Sequence, residues 1–331
     1  MKVSLARSEP SIALLSFAED VGTTGPVRVV GGRTQWDRGR SDAGSPDMPG
    51  SSDMPGFSDI REVRAPAGIV SVEPAELIVR AGAGTTWGEL DAALAAEGMQ
   101  CPVDGPSPES TLGGLFSVGD SGYRRIRYGH IRDLLLETRY VSARGDLVKA
   151  GAPVVKNVTG FDLCRLLVGS LGTIGLLGEV VLRCGPRPQL QMWMVSNSVD
   201  PFVVRERLYR PSFIGWNGTR TFVCMEGSAV EVGADKELLG TLASDWAETD
   251  KPVFPDGSRI SKRPRDLREA PEMFRGGAWL AEIGVGVVHL DSSFSAAAFP
   301  VAPLGDAVLA LAEKLKHAYD PDRRLNPGVR P

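Results

Sequence analysis

Short apolar runs separated by glycine, proline and polar clusters fill most of the chain, and helical spacing is confined to a few stretches. Residues 9–19 read as a short helix, and Pro26 to Val30 as a strand that ends in Gly31-Gly32-Arg33-Thr34. Ile69 to Val72 and Leu77 to Ala81 read as strands. Thr86-Trp87-Gly88-Glu89 has the spacing of a capping box, so a helix is expected from there to about Glu97, stopped by Gly98. Further strands are expected near 134–142 and 147–150, with a turn at Arg144-Gly145. Beyond Pro188, strand-like runs at 190–196, 220–226 and 279–290 mix with polar or helical segments near 201–209 and 229–247, the pattern of a smaller α+β domain. Residues 304–317 read as an amphipathic helix with Leu304, Val308, Leu311 and Leu315 on one face. Asp320-Pro321 ends it, and Asn326-Pro327-Gly328 makes a turn.

Gly39 to Ser58 has no apolar periodicity and holds the tandem hexapeptides SPDMPG and SSDMPG, so it reads as a mobile loop. The 331 residues allow two domains of ~150 residues each. The 39 glycines and 24 prolines favour turns and loops over a helical bundle. A net charge of −4 argues against a nucleic-acid surface. The four cysteines are scattered without a CxxC pair, so no metal site follows from them, and they read as buried thiols in a reducing compartment. The N-terminus does not read as a signal peptide. The longest charge-free apolar stretch, Leu166 to Gly178, is too short and glycine-rich to span a bilayer. The expected location is the cytoplasm, without direct membrane insertion; peripheral attachment through a partner stays open.

Three segments carry candidate chemistry. In Val154 to Pro188, Gly169, Gly172, Gly175 and Gly178 recur every third residue. Main chain so poor in side chains either approaches a large planar ligand or forms a tightly packed strand–turn–strand. Gly31-Gly32-Arg33-Thr34 follows a strand, as either a backbone nest for a diphosphate or a plain turn. Pro106 to Gly122 reads as a loop in which Ser110, Thr111, Ser117 and Ser121 alternate with Leu112, Leu115, Phe116 and Val118, a mix that suits a buried ligand. A dinucleotide-binding reading of Gly82-Ala83-Gly84 is weakened because the third glycine, Gly88, comes one position late.

In this order the three segments resemble the FAD-binding fold of the vanillyl-alcohol oxidase/para-cresol methylhydroxylase (PCMH) type, and within it the small FAD-binding subunits of bacterial glycolate oxidases. The resemblance is weaker at WLAEIGVGVVH (279–289) and DPDRRLNPG (320–328). It implies an α+β fold with a two-subdomain FAD-binding domain over 1–188, a small α+β cap or partner domain over 189–318, and a tail, 319–331, returning toward the flavin. It further implies that Val29 to Gln35 (Val30, Gly31, Gly32, Arg33, Thr34 and Gln35 among them) hold the FAD pyrophosphate. Pro106, Ser110, Thr111, Gly113, Gly114, Val118, Gly119, Asp120 and Ser121 would line the pyrophosphate, ribityl and flavin region. Leu171, Gly172, Thr173, Ile174, Gly175 and Leu177 would pass beside the cofactor, with Lys156, Asn157 and Asn326 near it. Arg33 stands where the family usually has glycine; it is either strained or reaching a phosphate. Asp120 needs a cation such as Arg124 or Arg125 if it lies near a diphosphate. No histidine occupies the first two segments, so a histidyl–flavin bond there is not expected.

Oxidising a 2-hydroxy acid requires a base, and His289, at the end of an apolar run, is the candidate; a purely structural His289 remains the alternative. Arg124, Arg125, Arg127 and Lys156 are candidate cations for a reduced flavin, or surface charges. The resemblance implies a larger FAD-linked oxidase subunit and an iron–sulfur subunit as partners, and a small 2-hydroxy acid as substrate. The alternatives are a stand-alone FAD oxidoreductase of another small alcohol or hydroxy acid and a non-catalytic flavin-bearing assembly subunit.

Overall fold

The structure, a computed structural model, describes residues 9–35, 60–153, 162–294 and 306–329. The chain divides into two compact units, one made of 1–120, 130–186 and 305–331, the other of 121–129 and 187–304. The division departs from the sequence-based boundaries at two places. Residues 121–129 join the second unit, and the helix near the C-terminus joins the first. The hexapeptide repeat of 39–58 lies outside the described residues.

In the first unit, helix α1 (Ile12–Val21) is capped by the Ser11 hydroxyl and buries Leu14, Phe17 and Val21. Strand β1 (Val27–Val29) pairs in parallel with β2 (Arg61–Val63). The remaining strands are β3 (Ile69–Glu73), β4 (Ile78–Gly82), β5 (Met99–Gln100), β6 (Leu135–Val141), β7 (Leu147–Gly151), β8 (Leu176–Arg183) and β9 (Gly185–Pro186). They form an antiparallel sheet of order β3–β4–β8–β6–β7 and a small β5–β9 ladder. An antiparallel sheet excludes the doubly wound nucleotide-binding fold, which needs parallel strands. Helix α2 (Trp87–Ala96) carries both halves of the capping box at Thr86 and Glu89. It packs Leu90 and Leu94 into a core with Val79, Ala81, Val180 and Leu182 from the sheet and Leu112, Leu115 and Phe116 from helix α3 (Leu112–Val118).

In the second unit, β10 (Leu190–Ser196), β11 (Phe213–Trp216), β12 (Thr221–Gly227), β13 (Ala247–Glu248), β14 (Arg259–Ser261), β15 (Trp279–Glu282) and β16 (Val287–Leu290) form one antiparallel sheet of order β13–β10–β12–β11–β15–β16–β14. The expected run 279–290 is a hairpin, turned at Gly284 and Gly286, whose φ values of 87° and 88° suit glycine. Helices Pro201–Arg207 and Ala229–Leu242 pack on the face that carries Met194, Ile214, Val223, Met225, Val288 and Leu290. The other face carries Trp193, Phe213, Phe222, Cys224 and Leu280.

The amphipathic helix is Asp306–Tyr319, and its apolar stripe is not buried: Val308, Leu309 and Leu311 are about half exposed. A polar anchor at its C-terminal end holds it instead. Leu304 lies outside the described residues. No helix among the described residues is long and apolar enough to cross a membrane, and no group of three or more His, Cys, Asp or Glu among them could hold a metal. All four cysteines are buried thiols outside any disulfide. Burial pushes the Cys164 thiol up to about 12, which makes it unreactive.

Candidate functional site

The first segment leaves β1 between β2 and the C-terminal tail. Val30 N donates to Val63 O (2.9 Å), and Asn326 N donates to Val27 O (2.9 Å). A β-carbon on Gly31 would collide with the Thr111 hydroxyl, and one on Gly32 with the backbone carbonyl of Glu109. Glycine is therefore what lets this segment lie against Glu109–Thr111. The contact is completed by a hydrogen bond between Thr34 Oγ1 and Ser110 Oγ (2.9 Å). Arg33 has φ 55°, in the left-handed region, and its guanidinium donates to Glu62 (3.0 Å).

The second segment was expected to be a loop, but residues 112–118 form helix α3, capped by Thr111. Its start is fixed by Leu112 N donating to Thr85 O (2.9 Å) and Gly113 N to Ala83 O (2.7 Å). Gly114, Ser117 and Val118 follow one another at helical spacing, opposite the buried Leu112, Leu115 and Phe116. Gly119 ends the helix in the left-handed conformation (φ 78°). Two of the last carbonyls of α3 are satisfied by the third segment: Gly169 N donates to Phe116 O (3.0 Å) and Leu171 N to Ser117 O (2.8 Å).

The third segment turns at Leu171 and Gly172, both at positive φ (54° and 68°), with Thr173 N donating to Ser170 O (3.0 Å). That is the signature of a type I′ turn. Asn326 bridges this turn to the first segment: its Nδ2 donates to Leu171 O (2.7 Å) and its Oδ1 accepts from Val29 N (3.2 Å). The tail that delivers Asn326 is anchored by buried charge. Lys316 Nζ donates to Asp320 (2.6 Å), Thr173 O (2.7 Å) and Leu325 O (3.2 Å). Arg324, 4 % exposed, donates to the carbonyls of Val21, Gly22, Thr24, Gly25 and Ala143. Burial lowers the Lys316 pKa, opposed by Asp320 beside it.

The three segments and the tail line a groove, open to solvent, of two adjoining lobes that share Val29, Gly31, Thr111, Gly114, Ser117 and Asn326. The first lobe adds Arg28, Gly32, Arg33, Thr34, Gln35, Val118, Leu171 and Val329. The second adds Val30, Gly113, Gly172, Leu177, Ala65, Ala83, Gly84 and Leu176. Two arginines and no carboxylate line it among the described residues. Hydroxyls, main chain and cations at one end, with small and apolar side chains at the other, suit a molecule with both a diphosphate and a flat ring. The residues present therefore fit FAD.

Several expected residues lie elsewhere. Pro106 is exposed and away from the groove; Ser110 reaches it only through Thr34. Gly119 and Asp120 do not line it, and Ser121 belongs to the second unit. Thr173 is fully buried, donating to Ser170 O (2.7 Å), and Ile174 is in the core. A β-carbon on Gly175 would press on Tyr140 (2.6 Å) and one on Gly178 on Leu14 (2.5 Å), so these two glycines serve internal packing. Gly172 lines the groove, but the space beside its Cα is taken by Asn326 Nδ2, 2.5 Å from where a β-carbon would stand. Lys156 and Asn157 lie outside the described residues. Leu176 falls in the expected run Leu171 to Leu177, whereas Arg28, Ala65, Ala83, Gly84 and Val329 were not among the expected cofactor contacts. Ser117 was legible as one of the hydroxyls of the second segment, though not as a position on a helix; Ala65 and Val329 had no local signal.

In the second unit, His289 Nε2 is 2.7 Å from Glu282 Oε1, and the ring meets Phe254 edge-on, centroids 4.8 Å apart. Glu282 is 2 % exposed, and its Oε2 has no hydrogen-bond partner. Arg124 faces Glu226 (3.8 Å) and stacks near Tyr123 and Tyr128.

Residues 62–151 match the family model described as "FAD binding domain". The chain is 31% identical over 303 residues to glycolate oxidase subunit GlcE of Escherichia coli, covering 81% of this chain and 85% of that protein. It is 37% identical over 126 residues to a mitochondrial D-lactate dehydrogenase (cytochrome) of Arabidopsis thaliana, covering 38% of this chain but only 22% of that protein. Among solved structures, an alkyldihydroxyacetonephosphate synthase superposes over 91% of this chain and 71% of its own, with TM-score 0.66 and 14% identity, a likeness of fold.

Proposed function

Because the chain belongs to the FAD-binding oxidoreductase family that includes glycolate oxidase subunit GlcE, we propose that it is the FAD-binding subunit of a complex that oxidises glycolate or a related 2-hydroxy acid. The observation that carries this reading is the convergence of three side-chain-poor segments on one groove that, among the described residues, carries two arginines and no carboxylate. Bound FAD supplies the hydride and electron chemistry. The chain's residues supply position and charge. Arg28, Arg33 and the Thr34 and Thr111 hydroxyls would meet the diphosphate, and Gly172, Leu176 and Leu177 would leave an apolar wall for the ring. Asn326 keeps the first and third segments at a fixed separation. No histidine lines the groove among the described residues, which supports a non-covalent cofactor. His289 is the proposed proton acceptor, its Nε2 held by Glu282 so that the ring keeps one orientation. Electrons would pass to a larger FAD-linked subunit and an iron–sulfur subunit.

The test is spectroscopic. The purified chain should show a flavin spectrum, release FAD on denaturation, and bleach with glycolate or D-lactate in the presence of its partner subunits. Turnover by the isolated chain with an artificial acceptor would make it a stand-alone enzyme. Flavin that no hydroxy acid bleaches would make it an assembly subunit, and a colourless chain that refuses added FAD would overturn the reading.

A further inference from the structure

Two of the four buried thiols lie across one ladder from each other. Strands β5 and β9 pair antiparallel, Met99 with Pro186 and Gln100 with Gly185. Cys101 follows β5 and Cys184 precedes β9, so the same register sets the two cysteines directly opposite. Pro186 has no N–H, so the pair that exchanges two backbone bonds is Gln100 with Gly185. Cys101 and Cys184 are then the neighbouring pair of the other kind, without mutual backbone bonds. The Cα atoms of such a pair stand about 4.5 Å apart, with the side chains at their closest, inside the range of about 4.4 to 6.8 Å that a disulfide spans. Two contacts agree with this placement. Cys184 N donates away from the ladder, to Leu77 O (2.7 Å). Cys101 Sγ donates to Arg183 O (3.5 Å), the carbonyl joined to Cys184. Both side chains enter the same apolar core, and the residues are 4 % and 7 % exposed.

We propose that Cys101 and Cys184 form a staple that hydrogen peroxide, small enough to enter a packed core, closes from dithiol to disulfide. One sulfur attacks the peroxide: an S–O bond forms, the O–O bond breaks, and hydroxide leaves with the thiol proton as water. The second sulfur attacks the resulting sulfenic acid: the S–S bond forms, the S–O bond breaks, and a second water leaves. The two sulfurs lose two electrons, and the peroxide gains them. The new bond closes a long loop that contains α3, β6, β7 and β8, and long loops constrain the unfolded chain most when closed. It also ties the root of the second segment. From Cys101 the chain passes the buried Pro102 and Val103 to Glu109 and Thr111, against which Gly31 and Gly32 lie. The other two cysteines serve as controls. Cys224 stands opposite Trp193 and Phe213 in its ladders, and Cys164 Sγ faces Leu136 O (3.8 Å).

The full-length protein is treated with hydrogen peroxide, alkylated under denaturing conditions and digested without reduction for peptide mass mapping. One intrachain Cys101–Cys184 peptide is expected, with Cys164 and Cys224 recovered as alkylated thiols. The oxidised protein should melt about 5 °C higher, and dithiothreitol should restore the original melting temperature, which it could not do for an oxidised methionine. Cys101→Ala and Cys184→Ala should each abolish the shift; should either fail to fold, the wild-type peptide map still decides. Four alkylated thiols after peroxide, a cross-link to any other cysteine, or a Cys101–Cys184 bond that leaves the melting temperature unchanged or lower would overturn the staple. None of these outcomes bears on whether the groove binds FAD.

Discussion

The two units put their chemistry on different parts of the residue. In the first, the groove is made of main chain: a left-handed turn at Leu171-Gly172, carbonyls of α3 bonded to the third segment, and one asparagine tying the turn to β1. In the second, the sheet face opposite the helices carries its polarity on side chains from separate strands. Glu226 accepts from Ser212 Oγ (2.8 Å) and Tyr128 (3.2 Å) and also bonds Gln191, while Glu282 holds His289. Tyr123, Trp193, Phe213 and Phe254 cluster around them with ring centroids 5.5–6.4 Å apart. A main-chain site tolerates changes of side-chain chemistry but no added atom at its contacts. A side-chain site behaves in the opposite way.

The largest expected effect tests the first half of that contrast. In Gly32→Ala the single added carbon meets the backbone carbonyl of Glu109, which has no rotamer to yield. The first segment must then leave the second, and FAD affinity should fall at least about a hundredfold, since the groove loses both walls of one lobe. Flavin content of the purified variant, read by absorbance, checks this; full occupancy would show that the segments do not depend on close approach.

The second half is tested by His289→Asn, a change of chemistry at nearly constant size. Flavin content and melting temperature should hold, while flavin reduction by the hydroxy acid slows by about a hundredfold, the ordinary contribution of a general base. Stopped-flow bleaching of the flavin in the assembled complex measures it. An unaltered rate would leave His289 as a partner of Glu282 and nothing more.

The same contrast explains what could be read from the sequence. Close approach leaves a local record: Gly31-Gly32, Gly113-Gly114 and Gly172 stand as runs or repeats within single segments, and all five line the groove. The record is not specific, because Gly175 and Gly178 share the repeat and merely make room for Tyr140 and Leu14. The capping box at Thr86 and the β10 strand were legible because each rests on a few neighbouring residues. Glu226, Glu282 and the aromatic cluster were not. Their partners lie 7 to 98 residues away, and the pairing of β10, β12, β11, β15 and β16 is what brings Gln191, Glu226, Glu282 and His289 to one face. The helix Asp306–Tyr319 was legible from its apolar stripe, but its anchor was not: Lys316 and Asp320 hold it, and that pair reads in sequence as an ordinary surface couple.

The smallest expected effect asks whether side chains also hold the second unit together at its edges. Asp245 accepts from the hydroxyls of Ser196 (2.6 Å) and Ser198 (2.8 Å) and from Asn197 N (2.8 Å), pinning the end of β10. The Ser196 hydroxyl first, then Ser198 and Asn197 N, lower its pKa from 3.8 to about 2. A carboxylate whose folded pKa lies below its unfolded value stabilises the fold fully above the unfolded value and loses that contribution as pH falls through the folded one. Asp245→Asn should therefore melt slightly below the wild type at neutral pH, with the gap closing between about pH 4 and pH 2. Thermal melts of both proteins across that range measure it. A gap that persists at pH 2 would assign the loss to the amide's shape rather than to the carboxylate's charge, and the edge of the second unit would then be held by packing, as the groove of the first is.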